Sequence, residues 1–238
     1  MPAEKLKWTG ATSDIREMHK LHPPMMLFFV CLFLIGTSVT YAGSAPLTPA
    51  ELHAVLARED YQPLKPSGAA VIEPLLTLYQ AGDADTRRRV ANALYYLSIK
   101  SAHAREVLMQ DVHTQHPQLR LAVQWALGRV SDDTTVVRVL LDNMENDPNP
   151  LFRDKAACAL AYDQVHLSEK QHVLLLEGLV RALENDKDDV RRIALQALYI
   201  RTGQTKDFLP DAPVNVRRPA VQRWKAWAAE YRKNIYGE

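Results

Sequence analysis

Glycine is scarce in this chain, with 9 residues among 238. Turns that need positive φ are correspondingly few, which argues against a succession of tight hairpins and for helices. No strand-like alternation of useful length interrupts the sequence. Charge of one sign is also lacking: the formal net charge is +1, so there is no global electrostatic case for a nucleic-acid partner. Two cysteines, Cys31 and Cys158, are present. There is no glycine-rich phosphate loop, no Gly-x-Ser-x-Gly elbow and no prominent pair of carboxylates. Nothing in the sequence warrants a reaction, and the expectation is a non-enzymatic protein with no cofactor. What is there is ample apolar content, 47% against 24% charged, enough for a folded core.

The longest apolar run stands apart from the rest. Met25–Ile35 reads MMLFFVCLFLI and is followed by GTSVTYAGSAP. A basic lead-in with Lys20, a run of this length and a small-residue exit predict a secretory signal peptide over residues 1–42, cut after Ala42 or, alternatively, after Ser44. The lead-in is long, and Met18 is a candidate start. A membrane span needs about 20 apolar residues, so an uncleaved anchor over residues 25–42 is the alternative. Cys31 falls inside the run and lacks a lipid-attachment context. After the cut Cys158 would be the single thiol, read as a small buried hydrophobe. Removal of residues 1–42 leaves 25 basic and 25 acidic side chains. The expected location is exported, periplasmic in a double-membrane bacterium.

The remainder repeats itself. Arg191 is followed at three, six and seven positions by Ala194, Ala197 and Leu198. The same offsets follow Arg87 (Val90, Ala93, Leu94), Arg120 (Val123, Ala126, Leu127) and Arg153 (Ala156, Ala159, Leu160). Arg217 begins a degraded copy with Ala220, Arg223 and Trp224. The anchors lie 33, 33, 38 and 26 residues apart. Offsets of three and seven trace one helix face, with small residues for close approach and Leu for the seam. Asn149-Pro150 and His116-Pro117 are start signals, and Asp85, Asp188 and Asn215 are N-cap candidates. A first helix precedes four of these: 68–80, 104–112, 134–144 and 169–184, the last opened by a Ser168/Gln171 capping box. A further helix is expected over Pro49–Arg58, then a linker at 61–67. The expectation is all-α: an α-solenoid of about five helical hairpins over residues 67–238, with 43–66 as N-terminal helix and linker. Trp224, Trp227 and Tyr231 would cover its open end.

The stretch VIEPLLTLYQAGDADTRRRVANALYYL (71–97) resembles a HEAT repeat of the short bacterial kind, also seen in phycobilin-lyase-like proteins. The resemblance rests on Glu73-Pro74 in an apolar first helix, the Asp-containing turn, and Arg followed by the Ala/Leu pattern. It implies a superhelix whose second helices line the inner surface, and a role in binding another protein, here one of the cell envelope. Two alternatives accompany it: a lyase- or chaperone-like helper holding a prosthetic group or client, and a membrane-tethered subunit of an envelope complex.

Individual residues fit this frame. An arginine in a first helical turn opposes the helix dipole. The aspartates upstream of every anchor except Arg120, namely Asp83, Asp147, Asp186 and Asp211, suggest a ladder of Asp–Arg contacts between repeats. The acid cluster ENDKDD (184–189) lacks the glycine and spacing of a calcium loop. His103, His113 and His116 fall in one repeat without the further ligands zinc requires. No metal is therefore expected. Off the core face, Tyr95, Trp125 and Tyr199, with Asn92, Arg129 and Gln196, should face the inner surface. Aromatics and arginine favour binding hot spots, so these six are the partner-binding candidates; gap-filling between repeats is the competing role.

Overall fold

The computed structural model describes residues 47–237. The leader, with Met18 and Cys31, lies outside them. Helix α1 (Pro49–Arg58) opens on Thr48, whose hydroxyl accepts from Glu51 N while Glu51 reaches back to the Thr48 amide. The expected linker is instead a 3₁₀ segment, Gln62–Val71. It breaks at Gly68, where φ is 52°, a left-handed conformation open to glycine. The first α-helix of the array therefore starts at Ile72, later than expected.

Four hairpins follow: α2 (Ile72–Ala81) with α3 (Ala84–Leu97), α4 (Ala102–Met109) with α5 (Pro117–Val130), α6 (Thr134–Asn146) with α7 (Pro150–Cys158), and α8 (Glu169–Ala182) with α9 (Asp188–Thr202). Helix α7 continues into a π-helical turn, Ala159–Asp163. All three of the expected Asp and Asn N-caps shift. Asp83, not Asp85, caps α3 by accepting from Thr86 N at 2.9 Å. Lys187 holds the cap position of α9, which puts Asp188 and Asp189 in the first turn. The Ser168/Gln171 capping box is present.

The last unit is a single helix, α10 (Val214–Tyr236), starting after Pro213, not at Asn215. Gly203 at φ 70° ends α9, and turns fill the interval, so no first helix precedes α10. Instead of joining the second-helix layer, as Arg217 suggested, α10 packs against α8. It runs antiparallel: Lys225 pairs with Glu184 near the end of α8, and Tyr236 reaches the Lys170 carbonyl near its start. Helix α1 packs on α3. The second-helix layer thus gains a helix in front, and the first-helix layer gains one behind. Among the described residues no helix is long and apolar enough to cross a membrane.

The repeat offsets are the core. Val90, Ala93 and Leu94, Val123, Ala126 and Leu127, and Ala156, Ala159 and Leu160 are all fully buried. The small residues let α3, α5, α7 and α9 stack side by side, and the Leu side chains fill the space between layers.

Each anchor arginine is the fourth residue of its helix. Each donates to carbonyls of the turn that precedes its helix: Arg87 to Gly82, Arg120 to His113 and Thr114, Arg153 to Asp147 and Pro148, Arg191 to Asn185 and Asp186, and Arg217 to Ala212. These carbonyls follow a helix end and lack helical partners. The planar fork of five donors then reaches onward. Arg87 pairs with Asp111 at 3.3 Å, Arg120 with Asp147 and Arg153 with Asp189, each in the following hairpin.

A ladder between repeats therefore exists, but on other rungs than expected. Of the four aspartates singled out, Asp147 alone serves it. Asp83 caps a helix, Asp186 offers its backbone, and Asp211 pairs with Arg192. Arg120, the anchor without an upstream aspartate, makes the most buried pair. The reason is that the partner belongs to the next hairpin, so proximity in sequence does not find it. Arg191 ends the ladder on the Pro210 carbonyl at 2.7 Å.

Candidate functional site

Three of the six candidate residues meet. Tyr95 lies on α3; Trp125 and Arg129 lie one helical turn apart on α5. The Tyr95 and Trp125 rings are 6.5 Å apart and tilted. The Arg129 guanidinium stands 4.7 Å above the Tyr95 ring, and Nη2 is 3.4 Å from the Tyr95 hydroxyl. All three are half-buried.

The residue that organises them was not singled out in the sequence. Asp163, at the end of the π turn, accepts from Arg129 Nε at 3.0 Å and is 4% exposed. Widening of α7 into the π turn brings the third hairpin's chain against α5. Gly128 makes the approach feasible, since a Cβ there would lie 2.8 Å from the Asp163 carbonyl oxygen. Just beyond, His166 Nε2 is 2.9 Å from the Arg129 carbonyl and 3.2 Å from that of Ser98. Both partners are acceptors, so Nε2 carries the proton and donates to two helix ends at once. One segment, 159–166, thereby ties together three hairpins.

The electrostatics follow from burial. Withdrawal from water pushes the Asp163 carboxyl above its ordinary range, and hydrogen bonding and charge from Arg129 pull it back. Burial, then the Asp163 charge, raises the Tyr95 hydroxyl. The ion pair fastens α5 to the π turn, and the Tyr95 and Trp125 rings stay partly open to solvent.

The other candidates lie apart. Asn92 sits beside the Tyr61 hydroxyl. Gln196 lines a shallow cleft with Cys158, Ala161 and Ile200. Tyr199 is 54% exposed on α9. Cys158 is partly buried, and its thiol is raised by that burial, as suits a packing role. The histidines also disperse: His103 meets Glu73 at 3.0 Å, and His116 opens α5. Among the described residues no group of three or more His, Cys, Asp or Glu is placed to hold a metal ion.

A signal for Asp163 did exist. Ten positions after the anchors come Leu97, Val130, Asp163 and Arg201. A charge at a position that is apolar in the first two repeats marks a departure from plain packing. Close to it in sequence are two exposed apolar side chains, Tyr162 (57%) and Val165 (48%).

Residues 72–161 match the family model of HEAT repeats. The match runs from the start of α2 into the π turn and so spans the first three hairpins. A search of the curated proteins finds no match to the chain.

Proposed function

We propose, from the HEAT-repeat segment and the aromatic cluster upon it, that this chain is a non-enzymatic scaffold that captures another protein on its second-helix layer. HEAT repeats typically mediate protein–protein interaction. The observation that carries the reading is the mutual contact of Tyr95, Trp125 and Arg129 around buried Asp163. Large side chains held in place before binding lose little freedom on binding, which is what a hot spot requires. Exposed Tyr162, Val165 and Tyr199 extend the surface, while Asn92 and Gln196 supply polar contacts at its margins. The 33-residue spacing of the first anchors supports the short bacterial subtype. The apolar run Met25–Ile35 with its basic lead-in supports export, and an envelope protein as partner.

The experiment compares wild-type protein with a Tyr95→Ala/Trp125→Ala/Tyr199→Ala variant as baits against an envelope fraction. A specific protein retained by wild type and lost from the variant, at equal helix content by circular dichroism, supports the surface. Equal retention by both baits refutes it. For export, a mature chain beginning at Gly43 is expected, and one that keeps Met25 would overturn the cleavage.

A further inference from the structure

A second site lies at the other end of the array. Helices α8, α9 and α10 enclose an open pocket of about 280 Å³. Its walls are of two kinds. Leu175, Leu176, Trp227 and Tyr231 form an apolar and aromatic side, with the last two rings stacked at 5.6 Å. Arg201, His172, Thr202 and Gln204 form a polar side.

Arg201 is the informative residue. Among the described residues it makes no ion pair. Its Nη2 reaches the Gln164 carbonyl at 3.5 Å, the limit of a hydrogen bond, and its buried Nε has no partner. Nε2 of His172 is likewise buried and unpartnered. Asp163, whose charge Arg201 feels, is held by Arg129. A partly buried guanidinium with so little compensation is unfavourable on its own, and burial lowers both Arg201 and His172.

The pocket's carboxylate, Glu169, is already engaged: it accepts the Tyr231 hydroxyl at 2.7 Å, and burial with this bond pushes that hydroxyl up to about 12. The aromatic face does not invite a cation either, because Lys206 Nζ already stands 5.4 Å above the Trp227 ring. Glu169 also sets an upper limit on charge. That carboxylate repels a dianionic phosphate more strongly than a monoanion, which leaves a singly charged group as the better match to the one arginine.

We propose that this pocket binds a single carboxylate carried on an apolar or aromatic body, with Arg201 holding the carboxylate and Trp227, Tyr231, Leu175 and Leu176 covering the body. The chemistry is shared by a free aryl-alkyl acid and by the C-terminal residue of a peptide. The pocket is lined by other residues than the aromatic cluster on α3 and α5.

The test is calorimetric titration of the full chain with 3-phenylpropionate and with its neutral amide, then with N-acetyl-Leu-Phe and its C-terminal amide. At least one acid should bind about tenfold or more tightly than its amide, the scale of one charge-assisted hydrogen bond. Preference for the first acid points to a small metabolite, and preference for the second to a chain terminus; both support the site. Arg201→Gln, with a melting temperature matched to wild type, should abolish the difference between acid and amide. The proposal is overturned if acids and amides bind equally, if neither acid binds at about 5 mM, or if folded Arg201→Gln keeps the preference. The acid–amide comparison on wild-type protein decides even if that variant does not fold.

Discussion

Replacement of Asp147 by asparagine should destabilise the array by about 3–5 kcal/mol, the scale for stranding one member of a buried ion pair. Both side chains are 3% exposed. Asparagine keeps one acceptor oxygen where the carboxylate serves both Arg120 and the Asn149 amide, so the Arg120 charge would be left to neutral partners, chiefly the His113 and Thr114 carbonyls at 3.4 and 3.5 Å and the Phe152 ring at 4.3 Å. Two long hydrogen bonds and a ring face do not replace a charge-assisted bond in a site withdrawn from solvent. The rung above provides the control. Arg87 and Asp111 are 36% and 15% exposed, so Asp111→Asn should cost about 1 kcal/mol or less. There the Tyr79 hydroxyl, 2.7 Å from the carboxylate, can still donate to the asparagine oxygen. The Arg120→Met/Asp147→Leu double variant removes both charges and should lose less than the sum of its single changes. Urea unfolding followed by far-UV circular dichroism gives all the values. The reasoning fails if Asp147→Asn stays within about 0.5 kcal/mol of wild type, or if Asp111→Asn is as damaging.

Three further outcomes are expected. Gly128→Ala places a Cβ 2.6 Å from Gln164 Nε2 and 2.8 Å from the Asp163 carbonyl oxygen, so it should destabilise by about 1–3 kcal/mol despite alanine's helix preference; a melting temperature at or above wild type would refute the contact. Ser168→Ala removes the α8 capping box and should cost about 1 kcal/mol in the same unfolding assay, with no change meaning that the cap is idle. Hydrogen bonding to Arg153 depresses the Asp189 carboxyl below its ordinary value of 3.8; a depressed carboxylate contributes stability above that value and loses it as pH falls through the folded-state value. The fall in melting temperature below about pH 4 should therefore be shallower in Asp189→Asn than in wild type, and parallel profiles would contradict the pairing.

The helices were legible because their signals are local. Thr48-Pro49, Asn149-Pro150 and Ser168 with Gln171 mark starts through bonds spanning three residues or fewer, and the repeat of small residues and Leu after each arginine marks the buried face. The candidate surface was legible in part. Tyr95, Trp125 and Arg129 follow from helix geometry, whereas Asp163 is placed by a π turn that packs closely on Gly128. The same holds for the ladder: an arginine's fork can be read from the sequence, but its carboxylate sits 24, 27 or 36 residues onward, in the next hairpin.

By itself the sequence determined an all-helical chain of hairpins, the core face of each second helix and the position of each anchor arginine, since propensity, capping and periodicity act within a few residues. Only the tertiary structure decided that α10 folds back on α8, that Arg120 meets Asp147, that Asp163 gathers the aromatic cluster, and that Arg201 lines an open pocket with no ion pair among the described residues. Each of these is a contact between distant segments, set by which surfaces remain to be buried once the local elements have formed.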